Sequence, residues 1–506
     1  ILYFLHFKIF FMENKDFINL IPSHKNPSPD YYCTWQTQLY ATSGGTPAEQ
    51  RRIINEHYIF NTDFPCGWAY FYEKARDDLY FVMDDSWDVP ETDYQKYYGC
   101  LFPDSGKFPE ATRGNDSTEA LASLTERIKS IGWKGLGGWV CAQESEIFKT
   151  GSTEGYWISR LKAAQKAGFS YWKVDWGKKA SDAEFRKALS RLARIYAPKL
   201  TLENAMLEEV IPYSDAFRTY DVPALMSIPM TMEKIQFYAG TVRERGDFKS
   251  LLNCEDEAYI AAAGGFTMGI MRHPFTGAFP DGRPDRSFPE IHRNIKSKLT
   301  EVTRAVRWHR IAPAYALDGN EFLFAGSELQ DSWKFENIKD EIEQWWLSAG
   351  TVKDFISDGV LTKSAVSGIA RRCSLPSVIP DRNGDIPFTV SSLNPGGAYS
   401  IVTAGRTRAR EYFTPLCDIT ADAEASTVFG VFGYYGSLTL LSSGIKKGMR
   451  VLAQDLADDR AADITGLVSI KNGSLTVPGR LISEIGRTAQ PAEDTSEPGI
   501  AITVKP

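Results

Sequence analysis

The stretch Tyr171-Trp172-Lys173-Val174-Asp175-Trp176-Gly177 sets an ammonium and a carboxylate two residues apart in a run that reads as a short strand. Successive strand side chains point to opposite faces, so Lys173 and Asp175 share one face while Trp172 and Val174 share the other. Burying two charges is costly without compensation. The pair therefore reads either as a structural ion pair at a strand end or as part of a reactive site. Four more groups bear on the choice: Asp84-Asp85-Ser86-Trp87, Trp139 to Glu144, Glu203-Asn204, and Arg218 with Asp221. Asp84 and Asp85 could be a solvated loop pair or could accept hydrogen bonds from vicinal hydroxyls. Glu203 could sit beside a helix cap, and Arg218 could neutralise Asp215 or Asp221. Each bland reading is reasonable alone. Five such groups at corresponding strand ends argue for a site.

The elements that must position them alternate from about Tyr31 onward. Strands are expected at Tyr32 to Leu39, Leu79 to Met83, Lys134 to Val140, Ser170 to Asp175, Lys199 to Glu203, Ala216 to Tyr220, weakly near Leu251, and at Gly265 to Met271. Helices fall between them. Gly155 to Gly168 is helical in pattern, and Thr118 to Ile131 repeats Leu121, Leu124, Ile128 and Ile131 at helical spacing. Ser181 to Tyr196 opens with a Ser181/Glu184 capping box, shows Phe185, Leu189, Leu192 and Tyr196 on one face, and stops before Pro198. Eight such units match a (β/α)8 TIM barrel, whose sites lie at the C-terminal strand ends. An open doubly wound sheet is the structural alternative.

After a helical run from Asn294 to His309, weak helical character continues through Asp340 to Trp346 and Thr351 to Ser357. Beyond about Leu361 the chain alternates polar and apolar residues between turns, as in Ala398 to Thr403, Thr427 to Leu441, Met449 to Asp455, and Leu467 to Val477 with its Asn472-Gly473 turn. The expected organisation is an extension (1–30), a barrel (31–310), a connecting helical segment (311–360) and a smaller antiparallel β-sandwich (361–506).

With 506 residues and a net charge of −7, the chain has ample material for a core and no long basic run, which argues against nucleic acid or an anionic membrane as partner. Aromatic residues at 13% suit carbohydrate stacking and large cores alike. The seven cysteines show no C-x-x-C pair and read mostly as free or buried thiols. The six histidines show no metal-ligand spacing, and no nucleophile elbow or phosphate loop is present. Gly135 to Gly138 lies within a strand, where glycines permit close packing or ligand approach. No metal or cofactor is implied. Residues 1–12 are mostly apolar, without a basic leading region or cleavage site, and leave the compartment open.

Together these motifs carry a resemblance. Asp84-Asp85-Ser86-Trp87, then Lys107-Phe108-Pro109, then Gly135-Leu136-Gly137-Gly138-Trp139-Val140, then Trp172-Lys173-Val174-Asp175 resemble, in order, motifs of the α-galactosidase clan, glycoside hydrolase families 27 and 36. The layout of barrel then β domain is closer to family 27. The resemblance implies Asp175 as nucleophile, Lys173, Asp84 and Asp85 as binders of sugar hydroxyls, and Asp221 as general acid/base, with Trp139, Glu203 and Arg218 around the sugar. Two departures stand out. The Arg218-to-Asp221 gap is one residue shorter than usual, while Tyr213-Ser214-Asp215 resembles the Ser-Asp of family 36. Gly264-Gly265-Phe266-Thr267-Met268-Gly269 also lacks the Asn-Asp-Pro-Asp that follows Gly-Gly-Trp in family 27.

A retaining glycosidase needs two carboxyl groups about 5–5.5 Å apart, one ionised and one protonated. Lys173 would favour an ionised Asp175, and an aromatic setting beside Tyr220 would keep a proton on Asp221. The expected activity is exo-acting, metal-free cleavage of terminal α-galactosyl residues from a carbohydrate partner. The same mechanism on an α-N-acetylgalactosaminide or β-L-arabinopyranoside, and a carbohydrate-binding barrel without catalysis, remain open. Oligomeric state is not readable.

Overall fold

The computed structural model describes residues 17–63, 67–148, 151–220, 222, 225–242, 246–275, 278–284, 298–338 and 356–506. Eight parallel strands form the first unit: β1 Tyr31–Cys33, β2 Tyr80–Met83, β3 Gly135–Val140, β4 Tyr171–Val174, β5 Thr201–Asn204, β6 Ala216–Arg218, β7 Leu251–Asn253 and β8 Gly269–Ile270. They pair in sequence order, with β8 beside β1. A parallel bridge from Asn253 to Thr267 closes the ring between β7 and the approach to β8. The unit is a barrel, and the open-sheet alternative is excluded.

Period-two alternation sorts each strand. Trp172 points outward to Trp157 of the helix Thr153–Ala167, with ring centroids 6.2 Å apart. Phe217 likewise meets Tyr238 of the helix Ser227–Ala239 at 5.1 Å. The inward set Tyr31, Cys33, Val82, Tyr171 and Met271 forms a small apolar cluster of its own. The β3 glycines are packing devices. A Cβ on Gly137 would lie 2.5 Å from the Tyr171 Cβ, and one on Gly138 would lie 2.8 Å from the Trp87 ring.

Several expected boundaries move. Only Tyr31–Cys33 of the first segment is strand, because Trp35–Ala41 turns helical. The Ser117–Ser130 helix is capped by Asp116 in a reciprocal box with Glu119. In the helix Ala183–Tyr196 the cap is Asp182, whose side chain accepts from the Phe185 N–H, so the Ser181/Glu184 box is not formed. Helix Leu299–Ile311 occupies the described part of the last expected helical run. In the expected 311–360 connecting segment, the helical runs Asp340 to Trp346 and most of Thr351 to Ser357 lie outside the described residues. The described part of the segment forms strands Phe322–Phe324, Glu328–Lys334 and Ile356–Ser357.

The C-terminal unit is a sandwich. An eight-stranded sheet runs Ala462–Asp463, Arg450–Asp455, Gly499–Lys505, Val428–Phe432, Tyr399–Ala404, Phe388–Leu393, Gly368–Arg371 and Phe322–Phe324. A five-stranded sheet centred on Ser437–Leu441 faces it, with Ile401, Val431, Val451, Leu438, Leu440 and Val477 among the buried residues between them. Most pairings are antiparallel, but three are parallel: Gly368–Arg371 with Phe388–Leu393, Tyr399–Ala404 with Val428–Phe432, and Asp418–Asp422 with Ser437–Leu441. The outer face of the larger sheet packs on the barrel. Ser392 and Ser400 hydroxyls donate to the Ala263 carbonyl at 2.6 and 2.9 Å, and buried Arg304 grips Asp455 bidentately at 2.8 and 3.0 Å.

Candidate active site

The inward residues nearest the C-terminal strand ends form one connected set of charges. Lys173 Nζ lies 2.7 Å from Asp84 Oδ2 and 3.6 Å from Asp175 Oδ2. Cys33 Sγ donates to the same Asp84 oxygen at 2.8 Å, and the Asp84 N–H donates to Thr34 Oγ1. Asp175 Oδ2 also receives the Trp139 indole N–H at 3.0 Å and pairs with Arg218 Nη2 at 2.8 Å. Its other oxygen, Oδ1, is buried and has no hydrogen-bond partner among the described residues.

The electrostatic balance fixes which form of each group persists. Burial pushes the Asp175 carboxyl up, but Arg218, Lys173 and the Arg218 and Trp139 hydrogen bonds outweigh it and hold the group well below the usual carboxylate range. Burial and Arg218 both work against the Lys173 charge. The Asp84 and Asp175 carboxylates more than restore it, so Lys173 stays an ammonium. Asp85, half-buried and accepting from Ser86 Oγ at 2.8 Å, is pushed up to about 7, by burial first and then by Asp84, Asp88 and Asp175. Of the two carboxylates at this strand end, Asp84 is held by an ammonium, while Asp85 has no such partner among the described residues.

Glu203 lies a layer deeper. Its oxygens accept from Tyr31 OH (3.1 Å), Tyr171 OH (2.9 Å) and Asn253 Nδ2 (2.7 Å), and Arg218 Nε stands 3.8 Å away. Burial raises its pKa. With three donors already committed to it, Glu203 acts as the seat of Arg218. Arg218 in turn reaches Glu255 with Nη1 at 3.5 Å and lies 4.7 Å over the Tyr220 ring. The strand end of β4 is anchored from behind: Arg186, projecting from its helix, donates to the Asp175 carbonyl at 2.7 Å and to Asn204 Oδ1 at 3.1 Å.

Asp84, Asp85, Trp139, Lys173, Asp175, Glu203 and Arg218 are thus brought together at or below the barrel mouth. Asp221 lies outside the described residues. Asp215, the other carboxylate considered for the acid/base role, sits at the opposite end of the barrel. It precedes β6, accepts from the Leu202 N–H at 3.2 Å and pairs with Arg194 at 3.4 Å. The Gly264–Gly269 segment follows the helix Ala258–Gly264 and leads into the start of β8, so it does not lie at a C-terminal strand end. Asn253, Glu255 and the inward tyrosines were missed from sequence. The acidic run Asn253-Cys254-Glu255-Asp256-Glu257 after the weak strand was one available signal. Two-residue spacing, which puts Tyr171 on the face of Lys173, was another. Among the described residues no group of three or more His, Cys, Asp or Glu side chains is placed to hold a metal ion.

No family model and no curated protein matches the chain. Solved structures do. The α-galactosidase I of Mortierella vinacea is 11% identical, with 95% of this chain and 98% of that one covered at a TM-score of 0.40. A family 27 β-L-arabinopyranosidase of Geobacillus stearothermophilus is 11% identical over 95% and 97% at 0.38. The α-galactosidase of Saccharomyces cerevisiae is 10% identical over 95% and 98% at 0.36. Such values carry no argument about family or chemistry, which is left to the residues themselves.

Proposed function

We propose that the protein is a retaining, exo-acting glycoside hydrolase that removes terminal α-galactosyl residues from a carbohydrate. The observation that carries this reading is the state of Asp175. A buried carboxylate is held ionised by Arg218, Lys173 and Trp139 through one oxygen while the other has no hydrogen-bond partner among the described residues. That is what a nucleophile at a barrel mouth requires.

In the proposed sequence Asp175 Oδ1 attacks the anomeric carbon as the glycosidic C–O bond breaks, and Asp221, three residues beyond Arg218 in sequence, gives its proton to the leaving oxygen. Water, deprotonated by Asp221, then attacks the same carbon and releases Asp175. Lys173, Asp84 and Asp85 are proposed to bind ring hydroxyls. Asp84 and Lys173 would do so as a fixed acceptor–donor pair, whereas Asp85, titrating near 7, can accept or donate. Arg218 and Glu203 position rather than react.

Aryl α-galactoside, α-N-acetylgalactosaminide and β-L-arabinopyranoside substrates test the sugar. Turnover with retained anomeric configuration, a covalent sugar on Asp175 detected by mass spectrometry, and loss of both in Asp175→Asn are expected. An Asp221→Ala variant should keep more activity on aryl than on sugar leaving groups, because a good leaving group needs no proton. Galactose binding without turnover of any of these would replace the proposal with a carbohydrate-binding barrel.

A further inference from the structure

Trp176 follows the proposed nucleophile directly and is 42% exposed, the only tryptophan so exposed among the described residues. Its ring is not loose. It lies 5.3 Å from the Trp139 ring at 57° and 5.2 Å from the Tyr98 ring at 70°, and these two rings, 6.1 Å apart, are themselves buried. Trp139 is the residue whose indole holds Asp175, and Tyr98 stands beside Asp85.

The backbone beneath Trp176 is equally fixed. Its carbonyl accepts from the Ala142 N–H at 2.8 Å. Gly177 adopts φ +143, and a Cβ there would lie 2.7 Å from Ala142 N, so only glycine lets the turn after β4 press against the end of β3. A rigid aromatic face is thereby displayed one residue beyond the reacting carboxylate. Directly after Gly177 in the chain, Lys178 and Lys179 pair with Glu146 and Glu144 at 3.0 and 3.2 Å, which balances the charge beside it. A flat ring edged by balanced charges and hydrogen-bonding groups suits a neutral, polyhydroxylated ring with one apolar face, and suits a greasy aglycone less.

We propose that Trp176, braced by Tyr98 and Trp139, is a stacking platform for the leaving-group sugar, so that this chain favours an oligosaccharide over a small aglycone. The proposal rests on the glycosidase reading, and the experiment separates the two. Wild type, Trp176→Ala and Trp176→Phe are compared on melibiose, whose leaving group is a sugar, and on α-galactosyl fluoride, whose leaving group cannot stack. The ratio of kcat/KM on melibiose to that on the fluoride should fall roughly three- to tenfold in Trp176→Ala and largely recover in Trp176→Phe. An unchanged ratio overturns the platform, since a structural role would lower both rates together.

If wild type turns over neither substrate, the α-galactosyl reading fails. The platform is then judged by calorimetry with melibiose against galactose. A wild-type preference for the disaccharide that Trp176→Ala removes upholds it as a binding subsite, and no such preference, or no binding, overturns it too.

Discussion

Asp175→Asn tests the site's electrostatics as well as its chemistry. Two effects oppose each other. The neutral amide removes the desolvation cost of a buried carboxylate, which would stabilise the fold, but it also takes from Arg218 and Lys173 an anion they share at 2.8 and 3.6 Å. The lowered Asp175 pKa says that the attraction wins. Breaking a buried pair costs roughly 3–5 kcal/mol when the remaining charge is left alone. Here Lys173 keeps Asp84 at 2.7 Å and Arg218 keeps Glu203 and Glu255 at 3.8 and 3.5 Å, so the low end, about 3 kcal/mol, applies. For a unit of this size that is a fall in Tm of about 5–10 °C. The sign with pH follows. A carboxylate with a folded pKa below its unfolded one contributes stability above the unfolded value near 3.9 and loses it as pH falls further. Scanning calorimetry should therefore show a wild-type advantage that is flat from about pH 5 upward and shrinks below about pH 4. A variant as stable as wild type at pH 7, or an advantage that grows on acidification, would refute the account of how Asp175 is held.

Three further outcomes follow from the same geometry. Asp85 carries the opposite shift, to about 7, so its folded form resists ionisation and stability should decline as pH rises from about 4 toward 7. Asp85→Asn should flatten that decline in thermal melts; an unaltered slope would place the titration elsewhere. Trp139→Phe removes the indole donor from Asp175 Oδ2, a hydrogen bond to a charged group worth about 1.5–3 kcal/mol, and should lower kcat/KM roughly 10- to 100-fold while moving the acidic limb of its pH profile upward. Glu203→Gln turns an amide donor toward Tyr31, Tyr171 or Asn253 and should cost about 1–3 kcal/mol by denaturant titration, with a shallower cost implying that the hydrogen bonds to Glu203 are dispensable.

What could be read from the sequence follows the range of the physics. The strands were legible because period-two alternation survives even where they are three or four residues long, and the Lys173/Asp175 spacing already placed both on the inner face. The cap of the Ala183–Tyr196 helix was misread because Ser181 and Asp182 are both good caps, and only the chain's entry angle chooses between them. Glu203 looked like a ligand-facing carboxylate because its three donors come from β1, β4 and β7, a convergence that only the closed ring creates. Asp215 and Asp221 could not be separated by spacing. Which end of the barrel Asp215 occupies depends on where β6 begins, and boundaries are the least legible feature of a short strand.

The barrel interior poses a stability problem that the rest of the molecule resolves. Its own apolar cluster is small, and above it lie Asp84, Lys173, Asp175, Arg218, Glu203 and Glu255, all buried. Such a network is costly if half-satisfied, and among the described residues only its Asp175 Oδ1, Arg218 Nε and Arg218 Nη2 lack a hydrogen bond, the two nitrogens standing in ion pairs with Glu203 and Asp175. The compensation lies outside the ring. A continuous core joins the outward strand faces to the surrounding helices and on through Trp308, Phe388 and Phe432 to the sandwich. Docking the β domain covers the helix Ala258–Gly264, which follows β7 and so carries the turn bearing Glu255. On this account the second unit holds the β7 end against Arg218, and so holds Arg218 against Asp175. Loosening the docking, for instance by Ser392→Ala with Ser400→Ala, should disturb activity before it disturbs the barrel's own unfolding.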